Sequence, residues 1–360
     1  MNLWQQLPKP IIGLAPMDGV SDLSYRIIQA EYGHPDVIFT EFIPIEGIIR
    51  LNNKLLTDFW YTESQRPIIG QIYGNDPALF YAAAQLVCEL GFDGVDINMG
   101  CPAKSVVHRG CGAALIRTPE LAIEIITVVK QAVLDWQQSG LDWNKWPVIS
   151  AKKAEREFTN FINMSKDLGI YNNLPVKRKL IPVSVKTRIG YEQPQVEEWI
   201  GNLLTAQPDA ITLHGRTLKQ LYTGKANWEL IKLAVDVRDS LNSETIILGN
   251  GDVKSVAEAL QRVKETKLDG VLIGRASFGN PNVFKKETSE TDLAARFSMI
   301  IAHAKLHEKY KPPQAFVQMR KNLAWYISSF PGAVELRSRL MLTNNSLEVE
   351  TILREYLENS

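Results

Sequence analysis

Cys101 stands on a short stretch between Gly100 and Pro102 rather than on the apolar face of a helix. A thiol on an accessible loop can donate a proton or act as a nucleophile, whereas a thiol buried on a helix is usually inert. Cys88 lies in an alanine- and leucine-rich stretch and fits the second description, and Cys111 receives no role. Cys101 is therefore the first candidate catalytic residue.

Lys186 and His214 each follow a short apolar run of the sequence. Because an unpaired ammonium group is costly to bury, Lys186 at the end of a buried strand needs an anionic partner. The electron-rich ring of a reduced flavin is one such partner. A sugar-phosphate imine formed on Lys186 itself, as in an aldolase, is another. We expect His214 to hydrogen-bond the same ligand.

Two glycine-bearing turns point to a phosphate group. Residues 249–252 (GNGD) and residues 274–275 (GR) come directly after the last two apolar runs of this type. Glycines allow backbone N–H groups to approach phosphate oxygens closely, and Arg275 adds a positive charge. We therefore expect a ligand that carries a phosphate.

The elements that must position these residues are eight short apolar runs, most of them separated by a helix-length segment. The runs end at polar or functional residues, which are Met17, Glu41, Gln71, Asn98, Lys186, His214, Asn250 and Arg275. Apolar character on both faces suits parallel strands, and eight strand–helix repeats predict a (β/α)8 or TIM barrel, whose site lies at the carboxyl ends of its strands. A doubly wound open sheet is disfavoured because no G-x-G-x-x-G turn follows the first run.

The chain divides into a predicted barrel, residues 1–284, and a predicted all-helical C-terminal domain, residues 285–360, with helices near 291–310, 316–328, 333–341 and 347–358. Almost ninety residues separate the fourth strand from the fifth, so an insertion is expected at about 137–180. It carries Trp143, Trp146, Phe158 and Phe161, which predict that it packs against other parts of the protein. It is interpreted as a surface excursion, with an RNA contact as the alternative.

Composition bounds the class of protein. The 360 residues carry equal numbers of acidic and basic side chains, so any nucleic-acid surface must be local. Three cysteines make no disulfide framework, and neither a secretory signal nor a membrane span is apparent. We expect a cytoplasmic protein, monomeric and without a metal site.

The chain resembles the tRNA-dihydrouridine synthases over nearly its whole length. The motifs that carry the resemblance are residues 15–20 (APMDGV), 71–74 (QIYG), 96–102 (DINMGCP), 185–190 (VKTRIG), 214–217 (HGRT), 249–252 (GNGD) and 273–275 (IGR). The resemblance implies FMN in the barrel mouth, NADPH as reductant and tRNA as substrate. It also implies hydride transfer from flavin N5 to uracil C6 and protonation of C5 by Cys101.

The same resemblance implies roles for individual residues. Those expected to bind FMN are Pro16, Met17, Asp18, Gln71, Lys186, His214, Asn250, Gly251, Asp252, Gly274 and Arg275. Asn98 and Arg188 would contact the uracil or its phosphate. From Lys305 to Arg339 the tail carries seven Lys or Arg and two Glu, and Arg320 with Lys321 would bind tRNA phosphates. The long insertion and Cys111 depart from the family pattern.

Three alternatives remain open on the sequence. One is an FMN barrel oxidoreductase that acts on a small molecule, of the dihydroorotate dehydrogenase type. Another is a lyase that uses Lys186 as an imine nucleophile and lacks flavin absorbance. The third is an RNA-binding protein without turnover.

Overall fold

The computed structural model describes residues 2–221, 223–286 and 292–359. Its centre is a closed barrel in which eight parallel strands follow one another in chain order. The strands are β1 (Ile11–Leu14), β2 (Ile38–Pro44), β3 (Ile68–Tyr73), β4 (Gly94–Met99), β5 (Val183–Arg188), β6 (Ala210–His214), β7 (Ile246–Asn250) and β8 (Gly270–Ile273). Each predicted strand is present, and the prediction of a TIM barrel is confirmed.

Helices surround the barrel and continue beyond β8. They are α1 (Leu3–Gln6), α2 (Leu23–Ile28), α3 (Ile45–Ile49), α4 (Asn53–Leu56), α5 (Pro77–Glu89), α6 (Lys104–Val107), α7 (Pro119–Ser139), α8 (Ala151–Asp167), α9 (Val196–Thr205), α10 (Trp228–Ser240), α11 (Val256–Thr266), α12 (Leu293–Tyr310), α13 (Met319–Tyr326), α14 (Ala333–Leu340) and α15 (Ser346–Glu358). No helix among the described residues is both long and apolar enough to cross a membrane.

Capping residues explain where several helices begin. The Asp76 side chain accepts hydrogen bonds from the first turn of α5, and Pro77 occupies a position where a missing N–H costs nothing. The pattern of apolar residues predicts that the helix after β7 begins near residue 253, but it begins at Val256. The reason is Ser255, whose hydroxyl accepts a hydrogen bond from the Glu258 N–H and so fixes the first turn.

The barrel closes where β1 pairs with β8, from Ile11 beside Gly270 to Leu14 beside Ile273. A Cβ atom on Gly270 would lie 2.2 Å from the Ile11 carbonyl oxygen, so the seam requires a glycine there. The loops that follow β1 and β8 are therefore neighbours at the barrel mouth.

The long segment between β4 and β5 packs on the outside of the barrel. Here α7 reaches Ser139, α8 follows after a short 3-10 turn, and an extended stretch leads to β5. The Trp146 indole N–H donates to the Ile49 carbonyl at 2.7 Å, and the Trp60 indole N–H donates to Ser165 Oγ at 2.8 Å. Because the connection between β2 and β3 has only short helices, α8 supplies the cover that a longer helix would give.

The C-terminal region is helical, with its own apolar core between α12, α13, α14 and α15. The helix predicted from Thr291 begins at Leu293 in the structure, and Thr291 itself lies outside the described residues. The stretch predicted as one helix over 316–328 is divided into a 3-10 turn, Pro313–Gln318, and α13. Pro312 and Pro313 stand at the start of the 3-10 turn, where a missing N–H leaves no helical hydrogen bond unmade.

Candidate active site

A large cavity opens at the carboxyl ends of the strands, with a volume of about 1420 Å³. It brings together most of the residues that the sequence predicts. Those that line it are Pro16, Met17, Asp18, Asn98, Cys101, Lys186, Arg188, His214, Asn250, Gly251, Asp252, Gly274 and Arg275. Glu41, Gln71, Arg320 and Lys321 are not among the lining residues. We call this cavity and its lining the barrel mouth.

The Cys101 loop is held in place by hydrogen bonds to its backbone. Asn98 Oδ1 accepts from the N–H groups of Gly100 at 3.1 Å and Cys101 at 2.6 Å, a local turn that asparagine favours. On the other side, the Ala113 N–H donates to the Cys101 carbonyl at 3.1 Å. The thiol therefore has a fixed place in the wall of the cavity.

The environment of Cys101 favours the neutral thiol. Burial raises the pKa of the thiol, and Asp18 acts in the same direction, while Lys186 and Arg188 act against them. The group is therefore protonated at neutral pH and carries a proton that it can give away. The two cations nearby would stabilise the thiolate left behind.

Arg188 and Lys186 leave the end of β5 on the same side of the cavity as Cys101. Arg188 is almost fully buried, and its Nε donates to the Gly100 carbonyl at 2.6 Å, which ties β5 to the Cys101 loop. Burial, followed by the charge of Arg188, lowers the pKa of Lys186 to about 8. A lysine beside another cation in a buried wall gains most from an anionic ligand.

A buried polar network lies beneath this wall. Gln71 donates through Nε2 to Asp96 at 2.6 Å and accepts from Asn98 Nδ2 at 2.9 Å. The Ser184 hydroxyl donates to the other Asp96 oxygen at 2.5 Å. Burial raises the pKa of Asp96 to about 6, although these hydrogen bonds and Lys186 oppose it. Gln71 thus holds Asn98, which in turn holds the Cys101 loop.

Asp252 organises two arginines at the opposite end of the mouth. Its carboxylate accepts from Arg216 Nη2 at 2.6 Å, from Arg275 Nη2 at 2.7 Å and from the Ala226 N–H at 2.8 Å. Although burial opposes ionisation, these partners lower the pKa of Asp252. The fixed guanidinium groups make this end of the cavity suitable for an anion such as phosphate.

His214 is neutral in this setting. Burial, and then the charges of Lys186, Arg188, Arg216 and Arg275, hold its pKa far below the usual range. Arg216 Nη1 lies 3.3 Å from His214 Nε2. Because a guanidinium group can only donate, Nε2 accepts and the proton sits on Nδ1.

The turns after β7 and β8 bring bare backbone to the cavity. Gly251 has φ +134°, and a Cβ there would lie 2.6 Å from the Cβ of Ala226. At Gly274 an added Cβ would meet the Met17 sulfur at 3.5 Å, an ordinary van der Waals contact, so this backbone lies beside the loop after β1. Asn250 Nδ2 donates to the Leu272 carbonyl at 2.8 Å and holds the two strand ends together. Backbone of both turns therefore lines the cavity at the place where the sequence predicts a phosphate site.

The residues predicted in the tail have protein partners. Arg320 donates to the Thr343 carbonyl and to Asn344 Oδ1, each at 3.0 Å, and so secures the turn after α14. Lys321 donates to the carbonyl of Gly19, in the loop after β1. Both side chains therefore have a structural task within the protein.

Arg216 and Phe278 are among the residues of the mouth that sequence reasoning missed. Arg216 lies two positions beyond the end of β6 in the HGRT segment, where an assignment to His214 alone overlooked the neighbouring charge. Phe278 lines the cavity from the turn after β8 and stacks on Trp325 of α13. No local pattern signals that stack, because its partners are 47 residues apart in the sequence.

Known proteins resemble this chain over its whole length. The protein shares 31% identity over 366 residues with "Probable tRNA-dihydrouridine synthase 2" of Bacillus subtilis, covering 99% of this chain and 98% of that protein. It shares 30% identity over 364 residues with "Probable tRNA-dihydrouridine synthase" of Staphylococcus aureus strain MRSA252, covering 99% and 95%.

Among solved structures, DHODH of Eimeria tenella in complex with ferulenol matches with TM-score 0.46 and 12% identity, covering 76% of this chain and 78% of that one. Resemblance at this level carries no information about activity. The family model for dihydrouridine synthase (Dus) matches residues 13–137 and 171–360, and most of the insertion falls between the two segments. The chain therefore belongs to the dihydrouridine synthase family of enzymes.

Proposed function

We propose that this protein reduces particular uridines of tRNA to 5,6-dihydrouridine, with FMN as cofactor and NADPH as reductant. The observation that carries the proposal is one cavity that brings together the Cys101 thiol, the cations Lys186 and Arg188, and the glycine-bearing turns after β7 and β8. The names of its relatives, tRNA-dihydrouridine synthases, support the same reading.

The donor set of the mouth fits FMN. Lys186 and His214 offer a cation and a neutral hydrogen-bonding group to an electron-rich ring, and Pro16, Met17 and Asp18 form the wall beside it. Gln71 is buried beneath this lining, and we propose that it supports the ring edge indirectly, by holding Asn98. The phosphate would lie on the backbone of Asn250, Gly251, Asp252 and Gly274 and on the Arg275 guanidinium, which the Asp252 carboxylate holds in place.

When bound, the flavin would supply the hydride, from its N5 to uracil C6. Cys101 then gives its proton to C5 of the same ring, and the thiolate that remains is stabilised by Lys186 and Arg188 until solvent restores the proton. Asn98 and Arg188 are proposed to orient the uracil. Because both are already fixed by the Cys101 loop, acid and substrate would share one rigid support.

A uracil can reach the mouth only after it leaves its stack in the RNA, which costs about a few kcal/mol. Phosphate contacts outside the mouth would offset this cost. Arg320 and Lys321 are proposed to supply some of them, since guanidinium and ammonium groups have further N–H donors beyond those used within the protein. In this arrangement α13 stands between the RNA backbone and the barrel.

The proposal is tested with purified protein, FMN, NADPH and an unmodified tRNA transcript. Mass spectrometry of nuclease fragments should show uridine gaining two hydrogen atoms, with equivalent NADPH consumed. Omission of FMN from flavin-stripped protein is the control. The proposal is wrong if flavin-loaded protein leaves tRNA unchanged, and reduction of free orotate instead would identify a small-molecule oxidoreductase.

A further inference from the structure

Helix α13 of the tail touches the barrel at the two loops that flank the closing seam. Lys321 and Trp325 are four residues apart and so lie on one face of the helix. Lys321 donates to the Gly19 carbonyl in the loop after β1. Trp325 stacks on Phe278 in the turn after β8, with ring centroids 4.1 Å apart and planes inclined by 15°.

The contact at Trp325 extends to the backbone. A Cβ on Gly279 would lie 2.4 Å from the Trp325 carbonyl oxygen, so the turn after β8 and the end of α13 pass within van der Waals distance of each other. Gly279 also has φ +63°, which favours glycine. Such a close approach leaves the turn little room to move unless α13 moves with it.

Both loops carry residues of the barrel mouth. The loop after β1 holds Met17 and Asp18, and the Met17 N–H is bound to Ser21 Oγ at 2.9 Å. The turn after β8 holds Arg275 and Phe278. A displacement of either loop would therefore change the distance between the residues proposed to contact the flavin ring and those proposed to bind its phosphate.

The two loops are also linked beneath α13. Tyr25 of α2 places its hydroxyl 2.7 Å from Ser277 Oγ, and both groups are buried. His307 of α12 lies 3.7 Å from Asp22, which caps α2. The tail thus contacts the segment after β1 at two points, Gly19 and Asp22.

We propose that Trp325 and Lys321 are positioning residues of the reductase. They fix the loops after β1 and β8 relative to each other, so that the ring and the phosphate of the cofactor can bind at the same time. The tail then serves the flavin reaction even without RNA. This inference rests on the proposed FMN site. It assigns α13 a task that RNA binding alone does not require, since both Trp325 contacts are made to the turn after β8 within the protein.

The test compares Trp325→Ala, Trp325→Phe and Lys321→Met with Tyr356→Ala. Tyr356 is a matched control because its ring packs on Phe297 and Phe330 inside the tail. Loss of an aromatic stack predicts an FMN dissociation constant about 3- to 10-fold higher in Trp325→Ala. Trp325→Phe should recover most of the affinity, and Lys321→Met should show a smaller loss.

Two further measurements separate positioning from other roles. Hydrogen exchange of peptides covering residues 15–22 and 274–280 should quicken in Trp325→Ala but not in Tyr356→Ala. With FMN saturating, the kcat of Trp325→Ala should fall while its KM for tRNA stays near the wild-type value.

The inference is wrong if FMN affinity and loop exchange are unchanged while tRNA affinity falls, which would make α13 an RNA surface. It is equally wrong if Tyr356→Ala gives the same flavin loss, which would indicate general loosening of the tail. If the wild-type protein itself binds no FMN, the proposed function fails instead.

Discussion

The barrel mouth and the insertion at 137–180 differ in the side chains that form them, which are clustered cations in the mouth and buried aromatic rings in the insertion. The mouth collects Lys186, Arg188, Arg216 and Arg275 around few carboxylates, an arrangement that lowers the pKa of Lys186 and His214. The insertion instead buries Phe161 and other rings against the flank of the barrel and leaves its charges exposed. Clustered like charges cost stability and are kept where a ligand needs them, whereas buried rings contribute stability directly.

Activity and stability therefore depend on different regions of the molecule. Substitutions in the mouth should remove function from a protein that remains folded. Substitutions in the insertion should weaken folding and leave the folded fraction active. Each prediction below would break that separation if its outcome were reversed.

The largest effect is expected for Cys101→Ala. Removal of a general acid should lower turnover about 10²- to 10⁴-fold. FMN affinity and the melting temperature should change little, because only one small side chain is lost from the wall of an open cavity. Single-turnover reduction of tRNA by pre-reduced protein measures the step. Cys111→Ala is the control, and equal loss in both variants would remove Cys101 from its proposed role.

Phe161→Ala should destabilise the protein by about 3–5 kcal/mol, the usual cost of deleting a buried phenyl ring. Phe161 is fully buried and packs on Trp60 and Tyr171. Urea unfolding measures the free energy, with Lys153→Ala on the exposed face of α8 as control. Turnover per folded molecule should match the wild type. A lower value would give the insertion a part in catalysis.

Within the mouth, Arg275→Met should weaken FMN binding about tenfold, corresponding to roughly 1.4 kcal/mol. The Arg275 side chain is half exposed, so solvent screens its charge and the effect is smaller than for a buried cation. Titration of apo-protein with riboflavin provides the control, because riboflavin lacks the phosphate. Equal weakening of both ligands would place the phosphate elsewhere in the mouth.

The sequence predicts the mouth better than it predicts the parts around it. Strand periodicity and the ends of apolar runs locate Lys186, His214 and the glycine turns, because a parallel barrel places each strand's carboxyl end at the same face. Glu41 shows the limit of this reasoning. It ends an apolar run but lies away from the cavity, beside Arg26, Asp22 and Asp58, and burial raises its pKa to about 8.

The tail shows a second limit. Arg320 and Lys321 have the composition of an RNA-binding strip, yet the structure gives them carbonyl partners in the protein. Composition shows that a segment carries charged side chains, but tertiary packing determines which partners those side chains contact. The stack of Trp325 on Phe278 is likewise invisible to any local pattern, since it joins a barrel turn to a helix from another part of the chain.

The smallest predicted effect is a pH dependence of FMN binding. In the unliganded protein the pKa of Lys186 is about 8. A bound anion raises that pKa, so the ammonium form favours binding below pH 8, and the gain is lost as pH rises through 8 toward the bound value. Affinity should fall by up to about tenfold for each unit by which FMN raises the pKa.

Flavin fluorescence titrations between pH 7 and pH 9 measure this dependence. Lys186→Arg should flatten the profile, because a guanidinium keeps its charge over the whole range. Phe161→Ala should keep the wild-type profile, since its defect lies far from the wall that holds Lys186. A flat wild-type profile would mean that Lys186 does not face the anionic part of the cofactor, and a profile altered equally by Phe161→Ala would show that the mouth and the insertion are not independent.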